Sequence, residues 1–179
     1  MATTNAQRAG IWVIAGALTI GTIAGFVAMI IAPQNEAADQ KKAEEQYKQM
    51  LAEMNKPLKG YEAESFDKDS VKKLNVEILK KGDGKKVEKT STISANYFGW
   101  DANGDIFDST NVGGTATPRE FPLDGVIEGW TKGLTGLPVG STVELTIPAD
   151  MAYGDTDNGD GRPVGPLKFI VAIEKIVKE

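Results

Sequence analysis

At 179 residues with 41% hydrophobic side chains, the chain can bury one good core and still carry an appendage. It contains no cysteine and no histidine, which excludes disulfides, thiolate nucleophiles, Cys- or His-ligated metals and Ser-His or Cys-His hydrolase schemes. A net charge of -5, with no basic patch interleaved with aromatics, argues against a nucleic-acid partner.

In chain order, a short tail (residues 1–10) precedes Ile11–Ala32, a run without a charged side chain. About 22 residues at 1.5 Å each reach about 33 Å, enough to cross a hydrocarbon layer of about 30 Å, so the run predicts a transmembrane helix in contact with the lipid bilayer. It is too long for the apolar part of a cleaved signal peptide, and no small-x-small cleavage site follows it. Gly21 and Gly25 form a G-x-x-x-G pair on which two such helices could approach, a route to a weak dimer. Orientation is not set by charge, since Arg8 precedes the run while Lys41, Lys42 and Lys48 follow it.

Residues 33–70 are expected to form a charged helical stalk and linker. Ala43, Tyr47, Met50 or Leu51, and Met54 recur at three- and four-residue steps, Glu44 stands four before Lys48, and Pro57 stops the pattern. With fewer than three heptads present, a solvated spacer fits better than a coiled coil. Lys59–Ser70, with Gly60 and several charges, is read as linker.

The main domain is expected over residues 71–179. Leu74, Val76 and Ile78 alternate with polar residues and end at the Gly82-Asp83-Gly84 turn. Ile93, Ala95 and Tyr97 alternate again, and Asn103-Gly104 signals a hairpin into Ile106-Phe107-Asp108. Gly113 and Gly114 mark a loose loop. The apolar residues Ile127, Trp130 and Leu134 then fall at helical spacing in a region that otherwise looks like sheet. Val143, Leu145 and Ile147 give a further strand, and Leu167, Phe169, Val171 and Ile173 a long closing one. The expected fold is α+β: a curved antiparallel sheet of about five strands around one short helix, with the Trp130 indole where they meet. The acidic, Gly-rich run Asp155–Gly161 invites a calcium reading, but it fails the EF-hand spacing: Gly159 falls where an oxygen ligand should be, and no Glu closes the loop. No metal or other cofactor is expected.

The order Tyr97-Phe98-Gly99, Ile106-Phe107-Asp108-Ser109, Phe121-Pro122-Leu123, Val126-Ile127-Glu128-Gly129-Trp130, Leu145-Thr146-Ile147-Pro148, Ala152-Tyr153-Gly154 and Leu167-Lys168-Phe169 resembles the FKBP-type peptidyl-prolyl cis-trans isomerases, the macrolide-binding immunophilins, over roughly Leu74–Ile176. The resemblance implies an isomerase of proline-containing polypeptides, with macrolides as candidate ligands. It implies Trp130 as the floor of a proline pocket and Tyr97, Phe107, Val126, Ile127 and Phe169 as its walls. It also makes the Tyr153 hydroxyl and the Ile127 backbone N–H the donors that hold the peptide, with Asp108 at the rim.

Two segments depart from the family pattern. Arg119 stands where an aromatic wall residue is common, two before Phe121, and is expected to leave the pocket less apolar on that side. In the flap from Tyr153 to Leu167, Pro163 and Val164 are the candidates for substrate contact. Because tethered proteins of this kind are typically displayed outside the membrane, the domain is expected to be extracytoplasmic. The competing expectation is a tethered module that binds proline-containing segments, or acts as a chaperone, without turnover.

Overall fold

The alternation of side chains along Thr92–Trp100 divides the domain into two faces. Ile93, Ala95 and Tyr97 point to one side of this strand and Phe98 and Trp100 to the other, and all five are buried. Both faces of the sheet are therefore covered where this strand runs.

The computed structural model describes Lys42, Glu45, Gln46, Gln49, Met50 and residues 53–157 and 161–179. The expected tail, the expected transmembrane helix and the Gly21/Gly25 pair lie outside the described residues. Among the described residues no helix is long and apolar enough to cross a membrane. Lys42, Glu45, Gln46, Gln49, Met50, Glu53 and Met54 are all helical, whereas Ala43, Glu44, Tyr47, Lys48 and Leu51 of the expected stalk pattern lie outside the described residues.

The unit that carries the sheet comprises Lys48–Thr156 and Pro163–Glu179. Its strands are β1 (Asn55–Lys56), β2 (Asn75–Lys80), β3 (Thr92–Trp100), β4 (Ile106–Ser109), β5 (Asn111–Val112), β6 (Thr115–Ala116), β7 (Arg119–Pro122), β8 (Thr142–Ile147) and β9 (Leu167–Lys178), with one short helix, α1 (Glu128–Leu134), between β7 and β8. The main sheet is antiparallel, in the order β2-β8-β9-β3-β4, and β7 pairs with the opening residues of β3. That makes six strands where about five were expected. The sixth, β7, contains Arg119 and Glu120 and ends in Pro122, a composition that hides a strand in the sequence.

A second correction concerns Gly113 and Gly114. They do not mark a loose loop but the two-residue turn of a tight hairpin, in which Asn111 pairs with Ala116 and Val112 with Thr115. Both glycines have positive φ, 60° and 93°, as a turn matching the right-handed twist of the strands requires. Their backs meet open space, so the backbone conformation alone selects glycine. At β2, Leu74 and Val76 reach the core as expected, whereas Ile78 is half exposed at the sheet edge, where the pairing with β8 shifts register after it.

The larger core lies between α1 and the sheet and contains Ile93, Tyr97, Leu123, Trp130, Leu134, Leu145, Ile147, Leu167, Phe169 and Val171. Helix α1 buries Gly129, Trp130, Gly133 and Leu134. A side-chain carbon at Gly129 would come within 2.4 Å of Ile147, and one at Gly133 within 2.8 Å of Leu145, so the two glycines let the helix lie directly on β8. This close approach sets the depth of the neighbouring indole.

The opposite face holds the third correction. The segment Lys59–Ser70, expected to be linker, packs on the sheet: Leu58, Phe98, Trp100 and Ile170 form a second buried cluster, joined by Tyr61, Ala63 and Phe66. Phe98 and Trp100 stack at 5.1 Å, the Trp100 indole N–H donates to the Glu64 carbonyl at 2.9 Å, and the Phe66 N–H donates to Ala102 at 3.0 Å. The stretch from Asn55 onward thus belongs physically to the sheet rather than to a free spacer.

Candidate active site

Helix α1 begins where Ile127 leaves the helical ladder: Ile127 is the N-cap residue, with ψ of 147°, and its carbonyl accepts from Trp130 and Thr131. An N-cap N–H precedes the first intrahelical bond and has no acceptor within the helix. Three residues on, Trp130 is 95% buried and surrounded by aromatic rings. Tyr97 meets it at 5.0 Å and 89°, Phe121 at 5.1 Å and 66°, and Phe169 at 5.3 Å and 89°. Phe107 in turn meets Phe169 edge to face at 5.6 Å. Edge-to-face contacts let the positive edge of one ring meet the negative face of the next, so the cluster holds together without a flat stack.

Gly99 is what brings two of these rings together. A side-chain carbon there would stand 2.4 Å from Phe169 and 2.8 Å from Phe107, so the pair can pack over β3 only because position 99 has none. Val126, Ile127 and Tyr153 are partly buried against the same cluster. Val126 also lines an open surface groove on the outer flank of α1, together with Lys89, Asp124, Thr131 and Lys132. The Trp130 indole nitrogen is buried with no hydrogen-bond acceptor among the described residues, a cost of about 1–3 kcal/mol that ordinary cores avoid.

The polar rim is built from three side chains. Tyr97 donates its hydroxyl to Asp108 at 2.6 Å, and the Arg119 guanidinium donates to Asp108 at 3.1 Å, to the Tyr97 hydroxyl at 3.2 Å and to the Ser109 carbonyl at 3.3 Å. Arg119 also lies over the Tyr97 ring, 5.9 Å from its centroid. Arg119, expected to leave the pocket less apolar on its side, stands at the edge of the cluster with its charge tied to Asp108 and Tyr97. Burial, and then the Asp108 charge and hydrogen bond, push the Tyr97 hydroxyl well above the usual tyrosine range, with Arg119 pulling the other way. Tyr97 accordingly keeps its proton through the physiological range and donates it in the hydrogen bond to Asp108.

Of the residues singled out in the sequence, Tyr97, Phe107, Phe121, Val126, Ile127, Trp130, Tyr153 and Phe169 share one cluster, and Asp108 and Arg119 meet at its edge. Pro163 and Val164 are not brought into that cluster; they precede a neck closed by the Gly165 N–H on the Gly154 carbonyl at 2.8 Å, and Val164 is exposed. Residues 158–160 of the flap lie outside the described residues. No group of three or more acidic side chains placed to hold a metal occurs among the described residues.

A family model described as FKBP-type peptidyl-prolyl cis-trans isomerase matches residues 83–174. The chain is similar to the FKBP-type 22 kDa peptidyl-prolyl cis-trans isomerase of Escherichia coli, with 39% identity over 98 residues that cover 55% of this chain and 46% of that protein. It is equally similar to the outer membrane protein MIP of Legionella longbeachae, with 39% identity over 55% of this chain and 40% of that one. The chain thus spans about half the length of the relatives it matches, or less. A crystal structure of a peptidyl-prolyl cis-trans isomerase from Pseudomonas syringae pv. tomato superposes with a TM-score of 0.52 at 26% identity, covering 83% of this chain and all of that one.

Proposed function

The chain belongs to the FKBP-type peptidyl-prolyl cis-trans isomerase family, and from that premise we propose that its aromatic cup accelerates rotation about X–Pro bonds in polypeptide clients. The barrier to be lowered, about 18–20 kcal/mol, comes from amide resonance, and no bond has to break. A catalyst need only favour the twisted amide over the planar one. The planar form is the more polar and gains more from water, so a dry apolar cup disfavours it relative to the transition state. Each 1.36 kcal/mol of such preference is worth tenfold in rate.

The observation that carries this reading is the Trp130 indole, buried beneath Tyr97, Phe121 and Phe169 at ring distances of 5.0–5.3 Å. In this account the proline ring rests on Trp130, against walls formed by Tyr97, Phe107, Val126, Ile127 and Phe169. The Ile127 N–H and the Tyr153 hydroxyl hold the flanking carbonyls. Asp108 faces the twisting amide from the rim, steadied by Tyr97 and Arg119, and Pro163 or Val164 touches the client from the flap. The test is the relaxation of a Leu-Pro peptide with micromolar protein: acceleration is expected, and an unchanged rate would sink the reading.

The uncharged run Ile11–Ala32 supports a single-pass anchor, the resemblance to tethered members of the family supports the isomerase unit lying on the extracytoplasmic side, and the name of the Legionella relative, an outer membrane protein, is in keeping with a membrane-associated place. The packing of Leu58, Tyr61 and Phe66 supports drawing the start of that unit at Asn55. Protease added to intact spheroplasts should then remove the unit, whereas protection until lysis would reverse the orientation. Macrolides are proposed as competing ligands of the same cup, and Gly21 with Gly25 as a weak contact between anchors. Competition in the peptide assay and crosslinking of a Gly21→Ile, Gly25→Ile variant, respectively, decide these two.

A further inference from the structure

The rim of the cup is gripped from outside the matched family region. Strand β1 and the residues beside it make four hydrogen bonds to the stretch Phe107–Gly113: the Asn55 side chain donates to the Phe107 carbonyl at 3.3 Å, the Ser109 hydroxyl to Lys56 at 2.7 Å, the Asn111 side chain to Pro57 at 2.7 Å and the Gly113 N–H to Met54 at 2.9 Å. Asn55 also pairs with Val112 and Lys56 with Asn111 in the small sheet. Asn55 and Ser109 are both buried, so these bonds form away from water, where losing a partner costs most. The same stretch fixes Tyr97: the Thr110 hydroxyl accepts from the Tyr97 N–H at 2.9 Å, and the Thr110 N–H donates to the Tyr97 carbonyl at 2.9 Å. Phe107, Asp108 and Tyr97 thus take their positions partly from a strand more than 40 residues before any of them on the chain.

We propose that Asn55 and Ser109 are positioning residues for the rim of the cup, through which strand β1, at the end of the stalk helix, sets the placement of Phe107 and Asp108. This inference rests on the isomerase reading for its effect on rate, and on the hydrogen bonds alone for its effect on the rim. Geometry errors of about 1 Å at a catalytic group cost up to about a hundredfold, so a loosened rim is visible in turnover without loss of the fold.

The test uses the full chain in detergent and compares Asn55→Ala and Ser109→Ala with Phe66→Ala, which weakens the packing on the far face without touching the rim. Each variant is measured for thermal unfolding, for kcat and KM on a Leu-Pro peptide, and for amide exchange at Ile106–Val112. Asn55→Ala and Ser109→Ala are expected to lower kcat about tenfold, with KM little changed, and to speed exchange across Ile106–Val112. Phe66→Ala is expected to lower the unfolding temperature while leaving both readouts in place. If all three variants behave alike, or if the rim variants change neither kcat nor exchange, the proposal is overturned. If the unaltered chain is inert, the isomerase reading falls and exchange decides alone: faster exchange in the rim variants supports the proposal, and unchanged exchange overturns it.

Discussion

Arg119 shows how far a single residue can be read without its neighbours. Its position two before Phe121 was visible in the sequence, and so was its charge, but not the partners that its reach would find. The guanidinium turns to Asp108 and Tyr97, ten or more residues away on other strands. Tyr97 carries a consequence that can be measured. Burial and Asp108 raise its folded pKa above the unfolded value near 10, so the folded state keeps a proton that the unfolded chain releases. The resulting contribution to stability is fully present below about pH 10 and is lost as the pH rises beyond it, by at most about 1.36 kcal/mol per pH unit. Denaturant unfolding between pH 8 and 11 is expected to show a shallower alkaline loss in Tyr97→Phe than in the unaltered chain. Identical slopes would mean that the hydroxyl titrates normally.

At the scale of elements, the helix and the long strands were legible because they obey a period. Ile127, Trp130 and Leu134 mark α1 within one residue of its observed start, and Ile93, Ala95 and Tyr97 of β3, Val143, Leu145 and Ile147 of β8 and Leu167, Phe169, Val171 and Ile173 of β9 recur at every second position on the core face. The strap from Leu58 to Phe66 was not legible, since its anchors Leu58, Tyr61 and Phe66 are only three, follow Pro57, and are interspersed with Gly60 and charged residues. Strand β7 and the Gly113-Gly114 hairpin were hidden for a related reason: two to four residues are too few to show alternation. The glycines of α1 were visible but carried no sign of their purpose. Gly129→Ala adds helix propensity worth about 1 kcal/mol, yet sets a carbon 2.4 Å from Ile147, and overpacking of that kind costs about 1–3 kcal/mol. The clash is expected to win, giving a less stable protein with weaker peptide binding as the indole shifts. A more stable variant with unchanged binding would show that the helix is free to rise off β8.

At the scale of the whole sheet unit, the sheet is packed on both faces, by α1 on one and by the strap on the other. The aromatic cluster was legible as a set of residues, because Tyr97, Phe107, Phe121, Trp130 and Phe169 stand in the order that carries the family resemblance. Its grip on the N-terminal strand was not, because that grip is made by backbone carbonyls and by short side chains that carry no period. The central claim is that the cup works by excluding water and clamping an amide, with no proton passed. The chain has no histidine or cysteine, and Tyr97 is held neutral, so no group named in the mechanism is assigned a proton transfer. The measurement that tests this most directly is the relaxation rate of a Leu-Pro peptide with the full chain from about pH 6 to 9, between the reference values of carboxylates and those of tyrosine and lysine. A rate enhancement that is flat across that range is predicted, whereas a bell-shaped profile centred near neutrality would contradict it.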